Sequence, residues 1–276
     1  CLIEEGVEYI FGIPGEENLA LMNAIYDSPI KFITVRHEQG AAFMADVYGR
    51  LTGKAGVCLS TLGPGATNLI TGVADAYSDG APLVAITGQV GTELNKLYQP
   101  AVEVLGAISD SLLQIGRRTA RHQEPEKALE IKARMVAEHE SYAGDASFPM
   151  KPQRILQDVR KDMDKDDIVI SDVGAHKMWI ARHYQCYEPN TCIISNGFAT
   201  MGISVPGAIG ARLVYPDKKI LAICGDGGFM MNCQEFETAL RAKTPFVTLI
   251  FNDSSYGLIK WKQMDQYHKN CYVDFT

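Results

Sequence analysis

Apolar runs alternate with amphipathic stretches along the first third of the chain. Four apolar runs predict β-strands, at residues 7–13, 30–35, 56–65 and 82–88, the third of them ending in a tight turn. An alanine-rich stretch at about 38–51 predicts a helix, and so does a stretch at 66–77 that follows Pro64. Because apolar strands alternate with helices, the pattern indicates a parallel sheet covered on both faces.

The same alternation returns in the last 126 residues, from Lys151 onward. Four more strands are predicted, at residues 167–174, 190–197, 219–228 and 246–253. Helices are predicted from an apolar stripe after Pro152 and then near 175–184, 202–214 and 229–242. In the last of these, the helical spacing of four apolar side chains predicts one buried face, made of Phe229, Cys233, Phe236 and Leu240.

The middle of the chain breaks this pattern. Residues 93–150 hold one possible short strand at 101–105 and charged helical stretches, including 126–140 with a Glu130–Arg134 pair on one face. The predicted fold class is therefore α/β, with two parallel-sheet units of about four strands each joined by a helical connector. The corresponding domains are residues 1–92, 93–150 and 151–276.

The composition of the chain restricts the kinds of binding partner and the cellular compartment that are expected. Net charge is −7 with a pI of about 5.4, which argues against nucleic acid or an acidic membrane surface as the main partner. The seven cysteines include no CxxC pair, so we expect free thiols in a reducing compartment and a cytoplasmic protein. Because the chain begins at Cys1 without a methionine or a signal-peptide pattern, we expect that the natural N-terminus is missing.

Candidate metal chemistry lies where the predicted strand 219–228 turns into a helix. Gly225, Gly227 and Gly228 would let a phosphate approach the backbone at a helix N-terminus, but Asp226 would repel a bare anion. A bridging divalent cation removes that conflict. Asn252-Asp253 ends the neighbouring strand, and the oxygen ligands of the two loops suit octahedral Mg²⁺. No G-x-G-x-x-G follows any predicted strand, which argues against a nicotinamide-dependent dehydrogenase.

A candidate catalytic carboxylate opens the predicted helix at 38–51. Glu38 stands in the run RHEQGAA, directly after the strand at 30–35. A carboxylate in a first helical turn can simply complement the helix dipole. The residues around Glu38 do not by themselves separate that role from catalysis.

The two motifs together resemble those of thiamine-diphosphate enzymes, and acetolactate synthases in particular. Three stretches carry the resemblance: HEQGAAFMADVYGRLTGKAGVCLSTLGPGATN, GDGGFMMNCQE and FNDSSYGLIKWKQ. In the metal motif, 24 residues separate Gly227 from Asn252. It implies a pyrimidine-binding domain at the N-terminus and a diphosphate-binding domain at the C-terminus, with thiamine diphosphate and Mg²⁺ as cofactors. Glu38 would contact N1′ of the aminopyrimidine and share the proton that activates the thiazolium carbon.

The resemblance also assigns roles to other positions. Asp226, Asp253 and the carbonyl of Ser255 would ligate the metal. Glu16 would face the reaction centre, Gln89 is a weaker candidate, and Met201 would prop the cofactor into its bent shape. The full set of implied cofactor-binding residues is Pro14, Gly15, Gly65, Asn68, Gly174, Ala175, His176, Ala199, Met201, Gly225, Asp226, Gly227, Gly228, Asp253, Ser255, Tyr256 and Gly257.

The match is shorter than the family pattern in two places. The last strands of the first domain and most of the middle domain are absent between residues 92 and 93, and the chain stops before the last strand expected of the second domain, so each sheet is expected to be cut to about four strands. The family's FAD site lies largely in the middle domain, so FAD binding is not expected. Three explanations stay open: an engineered minimal core, a longer protein with residues missing from this sequence, or a natural deletion. The family forms dimers with each site shared between chains, so a homodimer or larger homo-oligomer is expected.

The expected reaction is decarboxylation of pyruvate, with transfer of its two-carbon remainder to a second 2-keto acid. Two alternatives share every motif with that function. One is a related thiamine-diphosphate decarboxylase or carboligase, and the other is a cofactor-binding core with little or no turnover.

Overall fold

A computed structural model describes residues 1–15, 18–88 and 126–275. Residues 1–15, 18–88 and 158–275 belong to one compact unit, and residues 126–157 belong to a second. The first sheet and its helices consist of β1 (Tyr9–Gly12), α1 (Leu19–Tyr26), β2 (Lys31–Thr34), α2 (Glu38–Thr52), β3 (Gly56–Ser60), α3 (Pro64–Ser78) and β4 (Leu83–Thr87). The strands are parallel in the order β2-β1-β3-β4, as the alternating pattern predicts.

The connector contains α4 (Glu126–Glu140), which confirms the charged helix predicted there. Most of its described side chains are exposed, and the apolar Leu129, Ile131 and Met135 are among them. The helix α5 (Pro152–Asp162) follows. The possible strand at 101–105 lies outside the described residues. The three-domain division stays a prediction.

The second sheet is also parallel, in the order β6-β5-β7-β8. Its elements are β5 (Ile168–Ser171), α6 (Ala175–His183), β6 (Cys192–Ile194), α7 (Ser204–Val214), β7 (Ile220–Gly225), α8 (Asp226–Asn232), α9 (Glu235–Ala242), β8 (Val247–Phe251) and α10 (Gly257–Tyr267). Two four-strand α/β sheets are thus present, and the predicted fold class is confirmed.

The single helix predicted at 229–242 is wrong in detail. The segment forms two helices, α8 and α9, which are separated at Cys233 and Gln234. The four apolar positions do not form one buried face. Leu240 is 81% exposed, whereas Phe229 and Phe236 pack together with ring centroids 5.8 Å apart.

Helix α2 lies at the centre of the core. Nearly all of its side chains are buried, which identifies an internal helix rather than an amphipathic surface one. It packs closely on α7 because glycines face it: a Cβ added at Gly210 would lie 2.7 Å from the carbonyl oxygen of Met44, and one added at Gly207 would lie 3.0 Å from Val47. This close contact joins the two sheets into one unit.

Three further features of the chain bear on the predictions. All seven cysteines are free thiols, as predicted. In the part of the chain that the structure describes, no helix is long and apolar enough to cross a membrane. The edge strands β4 and β8 carry partly exposed apolar side chains, among them Val84 and Val247.

Candidate active site

The predicted site residues gather at the carboxyl edges of the two sheets. In the first sheet, Gly12 of β1 pairs in register with Thr34 of β2 and Leu59 of β3. The loops that follow these strands therefore leave the same edge, where parallel sheets bind ligands. In the second sheet, Gly225 of β7 pairs with Phe251 of β8, so the loops that hold Asp226 and Asp253 begin side by side.

Glu38 is the first residue of α2, and hydrogen bonds hold both its backbone and its carboxylate. His37 precedes it in an extended conformation, and the His37 ring accepts a hydrogen bond of 3.1 Å from the N–H of Gln39, which caps the helix. The Glu38 carboxylate is 8% exposed, and its Oε2 accepts a hydrogen bond of 2.9 Å from Asn68 Nδ2. The structure thus places a nearly buried carboxylate in one orientation at the sheet edge.

Two glycines allow the chain to pack closely beside this carboxylate. A Cβ added at Gly65 would lie 3.3 Å from Glu38 Oε1 and 2.9 Å from the methyl group of Thr61. A Cβ added at Gly15 would lie 2.4 Å from Thr61, so the loop after β1 also reaches this point. Gly15, Gly65, Asn68 and Glu38 are therefore brought together, with Pro14 preceding Gly15 in the same loop. Glu16 and Gln89 lie outside the described residues.

The residues predicted to bind the diphosphate and the metal lie at the second sheet. Asp226 begins α8, and its Oδ1 accepts a hydrogen bond of 2.9 Å from the N–H of Gly227. Asp253 Oδ1 accepts a hydrogen bond of 3.3 Å from the N–H of Ser255. A Cβ added at Gly257 would lie 2.3 Å from Asp253 Oδ2. Only glycine at that position leaves the Asp253 carboxylate in place.

The two loops of this side meet through Tyr256. A Cβ added at Gly227 would lie 2.9 Å from the Tyr256 ring, and Phe275 packs edge-on against that ring with centroids 4.7 Å apart. The N–H of Tyr256 also donates to the carbonyl of Val273 at 2.9 Å. Phe275 escaped sequence analysis because an aromatic residue in an irregular segment has no periodic pattern to place it.

His176 adds a buried polar atom. Its ring stacks on Phe251 with centroids 6.3 Å apart, and Cβ atoms added at Gly174 and Gly225 would lie 2.8 Å and 3.5 Å from it. Burial lowers the pKa of His176, and the charges of Asp172 and Asp253 oppose that shift. Among the described residues, Nε2 of His176 has no hydrogen-bond partner. A buried nitrogen without a partner fits a site that a polar ligand completes.

The donor set also fits an oxygen-ligated cation. Asp226 and Asp253 are carboxylates, and the neighbouring backbone of Ser255 supplies a carbonyl, all of them hard ligands that suit Mg²⁺. Within residues 1–15, 18–88 and 126–275, no group of three or more His, Cys, Asp or Glu side chains could hold a metal. A cation at Asp226 and Asp253 would therefore need further oxygen ligands, which a diphosphate can supply.

Met201 lies between two anchored neighbours. On one side, Thr200 donates its N–H to Ser195 Oγ at 2.9 Å. On the other, Gly202 donates its N–H to Asp172 Oδ1 at 2.9 Å and accepts from Asn232 Nδ2 at 2.8 Å. Ala199, two residues before Met201, has a left-handed φ of 56°, which a residue other than glycine adopts only when its surroundings impose it.

A buried charge network from the first sheet reaches the same segment. Asp75 of α3 accepts hydrogen bonds from the hydroxyls of Ser195 at 2.5 Å and Thr200 at 2.8 Å. Arg50 of α2 contacts Asp75 at 3.3 Å and Asp46 at 2.5 Å. Asp75 could have been noticed in the sequence, because it shares the buried face of α3 with Leu69 and Gly72. A carboxylate on an apolar helix face requires a polar partner.

Comparison with protein families agrees with this geometry. The N-terminal TPP binding domain of thiamine pyrophosphate enzymes matches residues 1–113, and the C-terminal TPP binding domain matches residues 172–275. The two matched ranges contain the two sheet edges described above.

Three relatives illustrate the similarity. An acetolactate synthase of Bacillus subtilis is 24% identical over 477 positions that span all of this chain and 84% of that protein. A probable acetolactate synthase large subunit of Methanococcus aeolicus is 24% identical, spanning all of this chain and 83% of the relative. An acetolactate synthase of Arthrospira platensis is 58% identical over 93 residues, which are 32% of this chain and 16% of that protein.

The longer alignments run over more positions than this chain has residues, so the relatives contain residues with no counterpart here. That agrees with the predicted lack of most of a middle domain. With both cofactor domains matched and both sheets observed, the chain belongs to the thiamine pyrophosphate enzymes and is similar to the acetolactate synthases among them.

Proposed function

We propose that the chain is the cofactor-binding core of a thiamine-diphosphate- and Mg²⁺-dependent carboligase of the acetolactate synthase type. It would decarboxylate pyruvate and transfer the two-carbon remainder to a second 2-keto acid. The observation that carries the proposal is the nearly buried Glu38 carboxylate, oriented by Asn68 at the edge of the first sheet. The similarity to acetolactate synthases supports the choice of substrate class.

The chain's residues would orient the cofactor and handle a proton. Bound thiamine diphosphate supplies the electron sink for decarboxylating a 2-keto acid. Glu38 would hold a proton at its carboxylate against the pyrimidine ring, with Asn68 fixing the direction of that carboxylate. Gly15 and Gly65 let their loops pack closely on Thr61 beside Glu38, because a side chain at either position would collide with Thr61.

The second sheet would hold the diphosphate and the metal. Asp226, Asp253 and the carbonyl of Ser255 would ligate Mg²⁺, and His176 would contact a diphosphate oxygen through the nitrogen that has no partner among the described residues. Met201 would support the bent cofactor. The remaining residues proposed to contact the cofactor are Pro14, Gly174, Ala175, Ala199, Gly225, Gly227, Gly228, Tyr256 and Gly257.

One assay separates the candidate functions. Purified protein is incubated with pyruvate, thiamine diphosphate and Mg²⁺, and acetolactate and acetaldehyde are measured. Acetolactate as the main product supports the proposal, and acetaldehyde alone would indicate a decarboxylase instead. Cofactor binding with neither product would indicate a binding core without turnover. Because FAD is not expected, adding it should not change the product yield.

We further propose a homodimer in which Glu38 and Asp226 of each site come from different chains. Exposed apolar side chains such as Ile70, Phe198 and Met230 are consistent with a partner surface. Mixing inactive Glu38→Gln and Asp226→Ala chains tests the arrangement. Shared sites would restore about a quarter of wild-type activity, because half of the dimers are mixed and each has one intact site. Sites within one chain would restore none.

A further inference from the structure

The carboxylate of Glu235 lies against the backbone that leads into Glu38. Its Oε1 accepts hydrogen bonds of 3.0 Å from the N–H groups of both Arg36 and His37, and its Oε2 lies 3.2 Å from the Arg36 nitrogen. Glu235 begins α9 and is 199 residues from Arg36 in sequence. The contact therefore joins α9, the second helix after β7, to the residues that lead into Glu38.

The position of Glu235 is fixed closely. The residue is fully buried, and Oε2 accepts a hydrogen bond of 2.6 Å from the hydroxyl of Thr238. A Cβ added at Gly40 would lie 2.8 Å from Oε1, so the first turn of α2 leaves just enough space for the carboxylate. Burial raises the pKa of Glu235, and the hydrogen bonds from Thr238, Arg36 and His37 oppose the shift. A buried carboxylate is tolerated only where such donors surround it.

This contact determines the direction in which the Glu38 side chain points from the backbone. The N–H groups at a helix N-terminus have no partners within the helix, and a carboxylate beside them also interacts favourably with the helix dipole. By holding Arg36 and His37, Glu235 fixes the backbone immediately before Glu38. Asn68 fixes the far end of the same side chain. The direction of the Glu38 carboxylate thus depends on a residue that does not touch it.

We propose that Glu235 is a positioning residue for Glu38, acting through the backbone of Arg36 and His37 and not through contact with substrate or cofactor. The inference rests on the function proposed above for Glu38. Glu235 lies nine residues after Asp226, so the segment that carries the proposed metal ligand also orients the proton-handling group. Because Glu38 and Asp226 of one chain are proposed to serve different sites of the dimer, the contact links the metal-binding segment of one site to the proton-handling residue of the other.

The test compares Glu235→Ala and Glu235→Gln with wild type as the full chain with thiamine diphosphate and Mg²⁺. The rate at which the thiazolium C2 proton exchanges with deuterium is measured by NMR after acid quench. Glu235→Ala should slow that exchange about ten-fold or more, because small misplacements of a proton-transfer group have large effects. Glu235→Gln keeps an oxygen that can accept from both N–H groups and should restore at least half of the wild-type rate.

A second readout needs no cofactor. Amide hydrogen exchange at Arg36 and His37, measured on the cofactor-free protein, should be faster in Glu235→Ala than in wild type. Thr244→Val serves as the matched control, because the Thr244 hydroxyl bonds the carbonyl of Ala239 and not Glu235. It should leave C2 exchange near the wild-type rate. A loss in Thr244→Val equal to that in Glu235→Ala would overturn the inference.

Further variants keep the test decisive if Glu235→Ala does not fold. Gly40→Ala presses a methyl group against the Glu235 carboxylate while improving helix propensity, so it should slow C2 exchange without loosening α2 itself. A wild-type rate in folded Gly40→Ala or Glu235→Ala protein would overturn the inference. Glu38→Gln separates the two proposals: unchanged exchange in that variant would instead overturn the role of Glu38.

Discussion

The hydroxyl of Thr200 donates a hydrogen bond of 2.8 Å to Asp75, which lies 125 residues earlier in the chain. Asp75 belongs to α3, whereas Thr200 directly precedes Met201 in the segment between β6 and α7. The Asp75 carboxylate thus links the segment of Met201, the residue proposed to support the cofactor, to the half of the chain that carries Glu38.

Removing that hydroxyl should weaken cofactor binding. In Thr200→Val the side-chain volume is nearly kept, but the bond to Asp75 is lost, which typically costs about 1 kcal/mol. We expect the affinity for thiamine diphosphate to fall about five-fold, measured by titration of tryptophan fluorescence. Thr52→Val, whose hydroxyl bonds only nearby backbone carbonyls and the Lys54 N–H, is the control and should bind normally. Equal affinities in all three proteins would show that Thr200 does not hold the Met201 segment.

The Arg50 network should make stability depend on pH. Burial raises the pKa of Asp46 from 3.8 to about 7; the Arg50 hydrogen bond and charge oppose this, and Asp75 reinforces it. A carboxyl whose pKa is higher in the folded state binds its proton more tightly there. The contribution of Asp46 to the free energy of unfolding is therefore complete below about pH 4 and is lost as pH rises through about 7.

Asp46→Asn should remove this dependence while keeping a neutral partner for Arg50. Urea unfolding of wild type should show stability declining between about pH 4 and 7, by at most about 1.4 kcal/mol per pH unit from this group. The variant should show a flatter profile over the same range. Parallel profiles for the two proteins would mean that Asp46 does not retain its proton in the folded chain.

Asn68 should control the efficiency of Glu38. Asn68→Ala removes the 2.9 Å hydrogen bond and frees the carboxylate to rotate, so we expect kcat to fall about ten-fold. Glu38→Gln should reduce activity much further, because the amide cannot hold the proton. Steady-state kinetics with pyruvate provide the measurement. Activity in Glu38→Gln equal to wild type would refute the assigned mechanism.

Gly257 should be required for metal binding. In Gly257→Ala the new methyl group would lie 2.3 Å from Asp253 Oδ2 and displace that carboxylate. We expect the Mg²⁺ concentration needed for half-maximal cofactor binding to rise about ten-fold or more, and Asp226→Ala to have at least as large an effect. Gly144→Ala is the matched control, since a methyl group there would meet nothing within 4 Å. Unchanged Mg²⁺ dependence in Asp226→Ala would contradict the metal assignment.

Fluorescence can report these titrations because of where the tryptophans lie. Trp179 packs on Phe251 with ring centroids 5.6 Å apart, directly before the Asn252-Asp253 pair, and Trp261 lies 6.0 Å from Trp179. The chain has no other tryptophan. Binding at the edge of the second sheet should therefore change the emission of this pair.

The sequence by itself determined the two parallel sheets, because fully apolar strands alternating with helices can be buried in few other ways. It also placed Glu38 and the two aspartates after strands, where parallel sheets put ligand-binding loops. Its error at 229–242 is instructive. Periodicity measures the spacing of apolar residues but does not mark where a helix is interrupted, so the break at Cys233 and Gln234 between α8 and α9 was not predicted.

Only the tertiary structure decided which distant residues hold the proposed site residues. Glu235, Asp75 and Asp172 appear in the sequence as ordinary acidic residues in or near helices. Each is buried, and each accepts hydrogen bonds from backbone or hydroxyl groups far along the chain, at Arg36, Thr200 and Gly202. Such contacts follow from how the helices pack, because burial requires a carboxylate to find donors wherever the fold brings them.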